Sequence, residues 1–147
     1  MKPGTRKPVD TTGTSNVEPN VLEARAAAQR IAFGPALFHA CWLMQKCGLM
    51  AALGRARQDG ITAEEMSDAA QLPAYSVTVL TDLLLTSDVM WERDGRYGLT
   101  KTGHLLATDE MTRVNMDFMG DVCYQGMRHL GEALAQGKDV VLTCGAL

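Results

Sequence analysis

The sequence predicts a mainly α-helical domain that contains one small β-hairpin. Three signals between Ile61 and Gly103 support this fold class: a capping box, a helix with one apolar face, and an Asp-Gly turn between two short runs. Together they give the order helix, turn, helix, hairpin, which is the winged-helix pattern. We therefore expect a winged-helix-like domain over residues 21–108, flanked by long helices.

The first two signals each define a helix. In a capping box, the side chains of the first and fourth residues accept hydrogen bonds from each other's backbone N–H, and Thr62 with Glu65 fits this pattern. A helix should therefore begin at Ala63. Pro73 suits the start of the next helix. The apolar positions that follow it have helical spacing and predict one buried face: Val77, Leu80, Leu83 and Leu84.

The third signal is Asp94-Gly95, a pair that suits the positive φ angles of a type I′ turn and predicts a two-residue β-hairpin. The register would pair Arg93 with Arg96, Glu92 with Tyr97, Trp91 with Gly98, and Met90 with Leu99. We expect Met90 and Leu99 to face inward and Trp91 to cover the opposite side. Thr100 should then cap a short helix.

The N-terminal region divides into an arm and two helices. Residues 1–20 are rich in Pro, Gly, Thr and Ser without apolar periodicity, which predicts a disordered or loosely ordered arm. Asn20 can cap a helix that begins at Val21 and ends near Phe33. Gly34-Pro35 breaks this helix, because proline lacks an N–H donor and restricts the residue before it.

The next helix should run from Pro35 to about Leu53 and is apolar on more than one side, which indicates burial in a core or against a partner chain. Its main apolar stripe contains Phe38, Cys41, Trp42, Leu49 and Leu53. Gly48 costs roughly 1 kcal/mol relative to Ala inside a helix. It either permits a close helix approach or ends the helix early.

Residues 109–137 predict a long helical segment that ends at Gly137, a suitable residue to follow a helix. It carries two apolar stripes. The first consists of Met111, Val114, Phe118 and Val122; the second consists of Met119, Cys123, Met127, Leu130 and Leu134. Two stripes indicate two contact surfaces, one for the chain's own core and one for a partner. Residues 138–147 show no clear pattern and predict an irregular tail.

Composition indicates a globular protein with no general attraction to polyanions. The 147 residues carry a net charge of −3, with 46% hydrophobic and 21% charged residues. No apolar run is long enough for a membrane helix, and no secretory signal is present. The four cysteines form no C-x-x-C pair and should be free thiols in a reducing compartment. We therefore expect a cytoplasmic protein that does not associate with membranes.

No catalytic, cofactor-binding or metal-binding residues are predicted. The three histidines are far apart, no two glycines are separated by a single residue, and no Cys/His metal spacing occurs. A DNA-reading helix needs basic side chains to meet phosphates and base edges. Residues 73–88 contain no Lys or Arg but contain Asp82 and Asp88. We therefore expect no nucleic-acid partner.

Four stretches carry a resemblance to a known family: GLMAALG, ITAEEMSDAAQLPAYSVTVLTDLLLTSDVM, RYGLTKTGHLLAT and VNMDFMGDVCYQGMRHLGEAL. Over about Ala28 to Gly137 the chain resembles the N-terminal winged-helix dimerisation domain of bacterial class I SAM-dependent O-methyltransferases. This resemblance implies a homodimer in which the module interlocks with its twin and covers a small-molecule substrate pocket. It also implies SAM in the parent protein, with the catalytic domain and its cofactor loop absent from this chain.

The resemblance leads to specific expectations for the chain. Alone, it should bind no SAM and transfer no methyl group. The dimer interface should include Phe38, Trp42, Phe118, Met119 and Val122. Two other functions stay open. The first is a winged-helix DNA-binding transcription regulator, which the charge of the second helix distinguishes from a dimerisation module. The second is a thiol or metal sensor, which metal titration would distinguish from the other two.

Overall fold

The computed structural model describes residues 20–137, so the predicted arm and the predicted tail lie outside the described residues, apart from Asn20. The predicted fold class is confirmed: the described residues are mainly helical and contain one two-stranded antiparallel hairpin. The chain divides into two compact units between Ala32 and Phe33.

The first unit contains one described helix. Helix α1 spans Val21–Ala32, and Asn20 caps it as predicted, because its Oδ1 accepts hydrogen bonds from the N–H groups of Leu22 and Glu23, both at 3.0 Å. None of the residues of α1 is buried.

The second unit holds the remaining elements. Helices α2 (Gly34–Lys46), α3 (Leu49–Ala56), α4 (Ala63–Ala70) and α5 (Ala74–Thr86) come first. Strands β1 (Met90–Arg93) and β2 (Arg96–Leu99) follow, and then helices α6 (Lys101–Thr108) and α7 (Glu110–Asp117). A π-helical turn (Phe118–Cys123), a 3₁₀ turn (Gly126–His129) and helix α8 (Leu130–Gln136) complete it.

The helix–turn–helix–hairpin order is present as predicted. Thr62 Oγ1 accepts from the Glu65 N–H at 3.2 Å, and Glu65 Oε2 accepts from the Thr62 N–H at 2.7 Å, which completes the capping box. Asp94 and Gly95 have φ angles of 51° and 73°, as a type I′ turn requires. The hairpin register is the predicted one at all four pairs. The local signals were therefore sufficient to specify this part of the fold.

The core lies among α2, α3, α4, α5 and the hairpin. Helix α2 packs against α3 and α5, α4 packs against α3 and α5, and α5 packs against β1. The side chains with the least exposure are aliphatic or methionine, in line with the low aromatic content: Met44, Leu49, Met50, Leu53, Met66, Val77 and Leu84. In the hairpin, Met90 and Leu99 join this core, while Trp91 covers Gly98 on the other face.

The prediction of one helix from Pro35 to about Leu53 was wrong. Gly48 takes a φ of 80°, a left-handed conformation that ends α2 and begins α3. The axes of α2 and α3 differ by 78°. Since Leu49 and Leu53 lie on α3, they do not continue the stripe of Phe38 and Trp42.

The predicted helical segment over residues 109–137 is helical along most of its length, but it is not one regular α-helix. Asp109 caps α7 by accepting from the Thr112 N–H at 2.8 Å, but α7 ends at Asp117. The π-helical turn and the 3₁₀ turn then change the number of residues per turn, so the phase of the two predicted stripes shifts along the segment. Gly137 takes a φ of 63° after α8, as predicted for the residue that follows a helix.

Among residues 20–137, no single helix is long and apolar enough to cross a membrane.

Candidate interaction surface

The first predicted stripe of the C-terminal segment remains exposed in the described chain. We call it the outer stripe; its members are 40% to 67% exposed: Met111, Val114, Phe118 and Val122. In the same segment Met116 and Cys123 are buried, whereas three members of the second predicted stripe are also exposed: Met127, Leu130 and Leu134. The segment therefore buries a few side chains in the chain's own core and leaves most of its large apolar side chains exposed.

A second apolar feature is a groove between α2 and the segment after α7, with a volume of about 720 Å³. We call it the apolar groove. Phe38 and Pro35 form its α2 side, and Met119, Tyr124 and Met127 form the other. Gln125 and Arg128 add polar groups to its lining. A concave, mostly apolar site with a few polar groups is the usual form of a small-molecule or partner pocket.

Aromatic rings organise the α2 side of this groove. The ring of Phe38 stacks on Tyr124 with centroids 6.0 Å apart and an interplanar angle of 10°. The His39 ring meets the same Tyr124 ring edge-on, with centroids at 3.9 Å. His39 also lies 6.0 Å from the Trp42 ring. Such contacts add about 0.5–1.5 kcal/mol to the burial of each pair, so the cluster fixes α2 against the segment after α7.

Trp42 lies against the π-helical turn at Gly120. A Cβ at this glycine would stand 2.5 Å from Cε2 and 2.7 Å from Nε1 of the Trp42 indole. Only a glycine therefore permits this approach of the turn to α2. The π-helical turn and the Trp42 ring define each other's position.

Lys46 links α2 to the last residue of α7 and to the π-helical turn. Its Nζ lies 2.8 Å from Asp117 Oδ1 and 3.4 Å from Asp121 Oδ2, and 5.3 Å from the centroid of the Trp42 ring. The hydrogen bond from Lys46 lowers the pKa of the Asp117 carboxyl, and the same bond raises the pKa of Lys46. These groups are about half exposed, so water screens the ion pair. The pair therefore fixes the position of α2 relative to the end of α7 more than it adds to the stability of the fold.

The five predicted interface residues fall on different surfaces. Phe118 and Val122 belong to the outer stripe, whereas Phe38 and Met119 line the apolar groove. Trp42 is half-buried against Gly120. The structure therefore brings Phe38 and Met119 together but places Phe118 and Val122 elsewhere, and the assignment of all five to a dimer interface stays a prediction.

Sequence reasoning missed His39, Tyr124 and Lys46 as parts of this surface. The contacts of His39 and Lys46 join α2 to residues more than 70 positions away, and no local pattern encodes such a distance. One signal was available: Asp117 and Asp121 are four residues apart, as acids that share one cation on a helical segment would be.

The cysteines of the described region give no support to a thiol or metal sensor. Cys41 and Cys123 are buried free thiols, Cys47 is partly buried, and Cys144 lies outside the described residues. Burial raises the pKa of the Cys41 thiol to about 11, which keeps it protonated and unreactive. No group of three potential metal ligands occurs in the part of the chain that the structure describes.

Helix α5 is the second helix of the helix–turn–helix–hairpin order, and it lacks the basic side chains that DNA reading needs. Its one charged residue is Asp82, which is exposed, and its other exposed large side chains include Tyr75 and Val79. A carboxylate in this position would repel phosphates. The described residues therefore give no support to the alternative of a DNA-binding regulator.

Comparison with known proteins identifies a family whose description is consistent with an exposed apolar contact surface. The family model of the Dimerisation2-like domain matches residues 25–97. No curated protein matches the chain significantly.

Three of the solved structures with a similar fold match most of this chain and less than half of their own length. The pyocyanin biosynthetic protein PhzM is 22% identical, with a TM-score of 0.68 over 86% of this chain and 38% of its own. The S-adenosylmethionine-dependent methyltransferase SibL, in its apo form, is 25% identical, with a TM-score of 0.64 over 76% of this chain and 33% of its own. Human N-acetylserotonin methyltransferase, in complex with SAM, is 18% identical, with a TM-score of 0.64 over 91% and 40%. The chain thus spans two-fifths or less of the length of each.

Proposed function

We propose that this chain is the dimerisation and substrate-lid module of a cytoplasmic SAM-dependent small-molecule methyltransferase. The chain belongs to the Dimerisation2-like domain family over residues 25–97, which supports this proposal. The outer stripe carries this proposal. Soluble monomers rarely expose a contiguous apolar patch larger than a few hundred Å². A second copy of the chain is the partner that a dimerisation domain supplies.

The proposed dimer places Phe118 and Val122 near the centre of the interface, because they lie midway along the exposed surface of residues 111–134. Obligate dimers of this kind bury on the order of 2,000 Å² or more, with an apolar centre. Phe38 and Trp42 contribute from α2, and Met119 contributes from the π-helical turn. The groups that hold α2 to the π-helical turn, chiefly Lys46, keep the two contact surfaces in a fixed relation.

The lid role rests on the apolar groove. Its walls are aromatic and methionine side chains, and Arg128 and Gln125 supply the polar groups that would orient a small molecule. In the parent protein we assign this groove to the wall of the substrate pocket that faces the catalytic half.

Residues 20–137 do not fit SAM by themselves. Their only sheet is a two-stranded antiparallel hairpin, whereas a nucleotide-type cofactor sits at the carboxyl ends of parallel strands beside a glycine-rich turn. We therefore assign SAM binding and the chemistry of methyl transfer to a part of the parent protein outside these residues, and derive no catalytic step from this chain.

Sedimentation equilibrium of the unmodified chain tests the dimer. We expect a dimer at tens of micromolar, and a single monomeric species throughout this range would contradict the dimerisation role. Reading the gene beyond codon 147 tests the parent activity separately. We expect a strand followed by a glycine-rich turn there, and its absence from every reading frame would contradict the methyltransferase assignment without affecting the dimer.

A further inference from the structure

A second groove lies on the hairpin side, between the end of α3, the outer face of the hairpin and α6. Its volume is about 990 Å³, and we call it the cationic groove. Arg57, Arg93 and Lys101 line it together with His104, and Asp59 is the one carboxylate in its lining. This local excess of positive charge contrasts with the net charge of −3 of the whole chain.

The three cations have no carboxylate partner within the described chain. The ion pairs formed by residues 20–137 use Lys46, Arg96 and His129 instead. Arg93 is nevertheless held in place, because its guanidinium lies 5.0 Å from the centroid of the Trp91 ring. The Trp91 ring is fixed in turn, since its Nε1 donates to the Leu99 carbonyl at 3.0 Å. A positively charged group is therefore preorganised on the wall of the groove.

Each cation also occupies a position that folding alone disfavours. Arg93 stands directly opposite Arg96, and like charges at opposed positions of a hairpin destabilise it. Lys101 is the first residue of α6, where the positive end of the helix dipole repels a cation. Arg57 has a φ of 50°, and a positive φ is costly for a residue with a Cβ.

Arg96, unlike Arg93, has hydrogen-bond acceptors and a carboxylate within the described chain. Its Nε and Nη2 donate to the carbonyls of Asp59 and Gly60 at 2.7 and 2.9 Å, and Glu65 lies 3.7 Å away. Arg93 has none of these acceptors. Departures from local consistency without an internal compensation are expected at functional sites.

We propose that the cationic groove binds a small molecule that carries phosphate groups, at a site separate from the outer stripe and the apolar groove. A multiply charged oxyanion in the groove would supply the negative charge that Arg57, Arg93 and Lys101 do not find in the described chain. Guanidinium groups match the geometry of phosphate oxygens and form charge-assisted hydrogen bonds to them. The groove has the volume of a small-ligand pocket.

Calorimetric titration of the full 147-residue chain with pyrophosphate, at about 50 mM salt, tests this proposal. We expect saturable binding of one pyrophosphate per chain. Arg93→Gln and Arg57→Gln should each weaken it by about tenfold, the effect of losing one charge-assisted contact. Arg55→Gln is the matched control: it removes the same charge from the same end of α3 but does not line the groove. Its binding should match that of the unmodified chain.

Three results would overturn the proposal. They are an absence of saturable binding, an equal loss of affinity in Arg55→Gln, and tighter binding of a glutamate-rich peptide or duplex DNA that depends on the same arginines. The last result would make the groove a protein or nucleic-acid contact rather than a small-ligand site. Circular dichroism of each variant confirms that it is folded, and all three substituted side chains are exposed.

Discussion

Residues 33–108 and residues 109–137 differ in how completely they bury their apolar side chains. The first region encloses a core in which Leu49, Leu53 and Leu84 have no exposed surface. The second region buries only a few side chains and leaves the outer stripe open to solvent. Its helix is also interrupted twice, whereas each helix of the first region runs regularly between its ends.

This difference indicates that the two regions are stabilised by different contacts. The first region is stabilised by contacts within the chain, so its stability should not depend on protein concentration. The second region, in our proposal, gains part of its stability from another copy, and mass action then makes that part depend on concentration. Substitutions in the two regions should therefore fail in distinguishable ways.

The largest effect is expected at the outer stripe. Phe118→Asp would place a carboxylate without a partner in the proposed interface, and a buried charge left in this way costs about 3–5 kcal/mol. The variant should sediment as a monomer at concentrations where the unmodified chain is a dimer. Val79→Asp is a matched control, because Val79 on α5 has the same 49% exposure as Phe118. Dissociation of both variants, or of neither, would contradict the assignment of Phe118 to the interface.

A change in the first region should instead lower stability at every concentration. Leu53→Ala removes a side chain with 0% exposure, and such substitutions cost about 2–5 kcal/mol through lost burial and the remaining cavity. Urea unfolding followed by circular dichroism at two protein concentrations measures this. Leu105→Ala, at a residue with 54% exposure, should change the free energy of unfolding by less than about 0.5 kcal/mol. Equal losses in the two variants would count against the core described here.

The sequence predicted the first region well because its signals are local. The Thr62–Glu65 capping box and the Asp94-Gly95 turn each involve residues within four positions, and their side-chain or backbone chemistry specifies one geometry. Gly48 was more ambiguous, because a glycine inside an apolar run permits either a continuous helix or a break. The packing of α3 against α4, β2 and α6 accompanies the break.

The second region was predicted less well because long-range contacts determine its shape. Helical periodicity indicated the segment, but the π-helical turn depends on Trp42 and Lys46, which lie on α2. The candidate site was likewise predictable only where its pattern is local. The exposed apolar positions could be found from spacing, whereas the stacking of Phe38 on Tyr124 joins residues 86 positions apart. The pairing of α2 with this segment had one local signal, the four-residue spacing of the two acids that Lys46 joins, and this spacing does not identify the partner helix.

Gly120→Ala should show how tightly the two regions are joined. The added Cβ would overlap the Trp42 indole, and overpacking of this kind typically costs about 1–3 kcal/mol. Thermal unfolding should therefore shift to lower temperature, and Trp42 fluorescence should change. Gly131→Ala is the control, since nothing lies within 4 Å of its Cβ position and the change favours α8 by up to about 1 kcal/mol. A Gly120→Ala variant as stable as the unmodified chain would show that the turn is not held against Trp42.

The smallest effect is expected from the ion pair that joins the two regions. Because Lys46 lowers the pKa of Asp117, the contribution of this carboxylate to stability is present above the ordinary Asp range, near pH 4, and is lost as the pH falls through its pKa in the folded chain. Because Asp117 raises the pKa of Lys46, the contribution of the lysine is present below the ordinary Lys range and is lost as the pH rises through its folded pKa. The pair is therefore intact across neutral pH. In Lys46→Gln, carbon-detected NMR titration should show the Asp117 pKa rising to its ordinary range, while that of Asp109, which Thr112 lowers, stays depressed. An Asp117 pKa that does not move on this substitution would mean that Lys46 does not hold the π-helical turn.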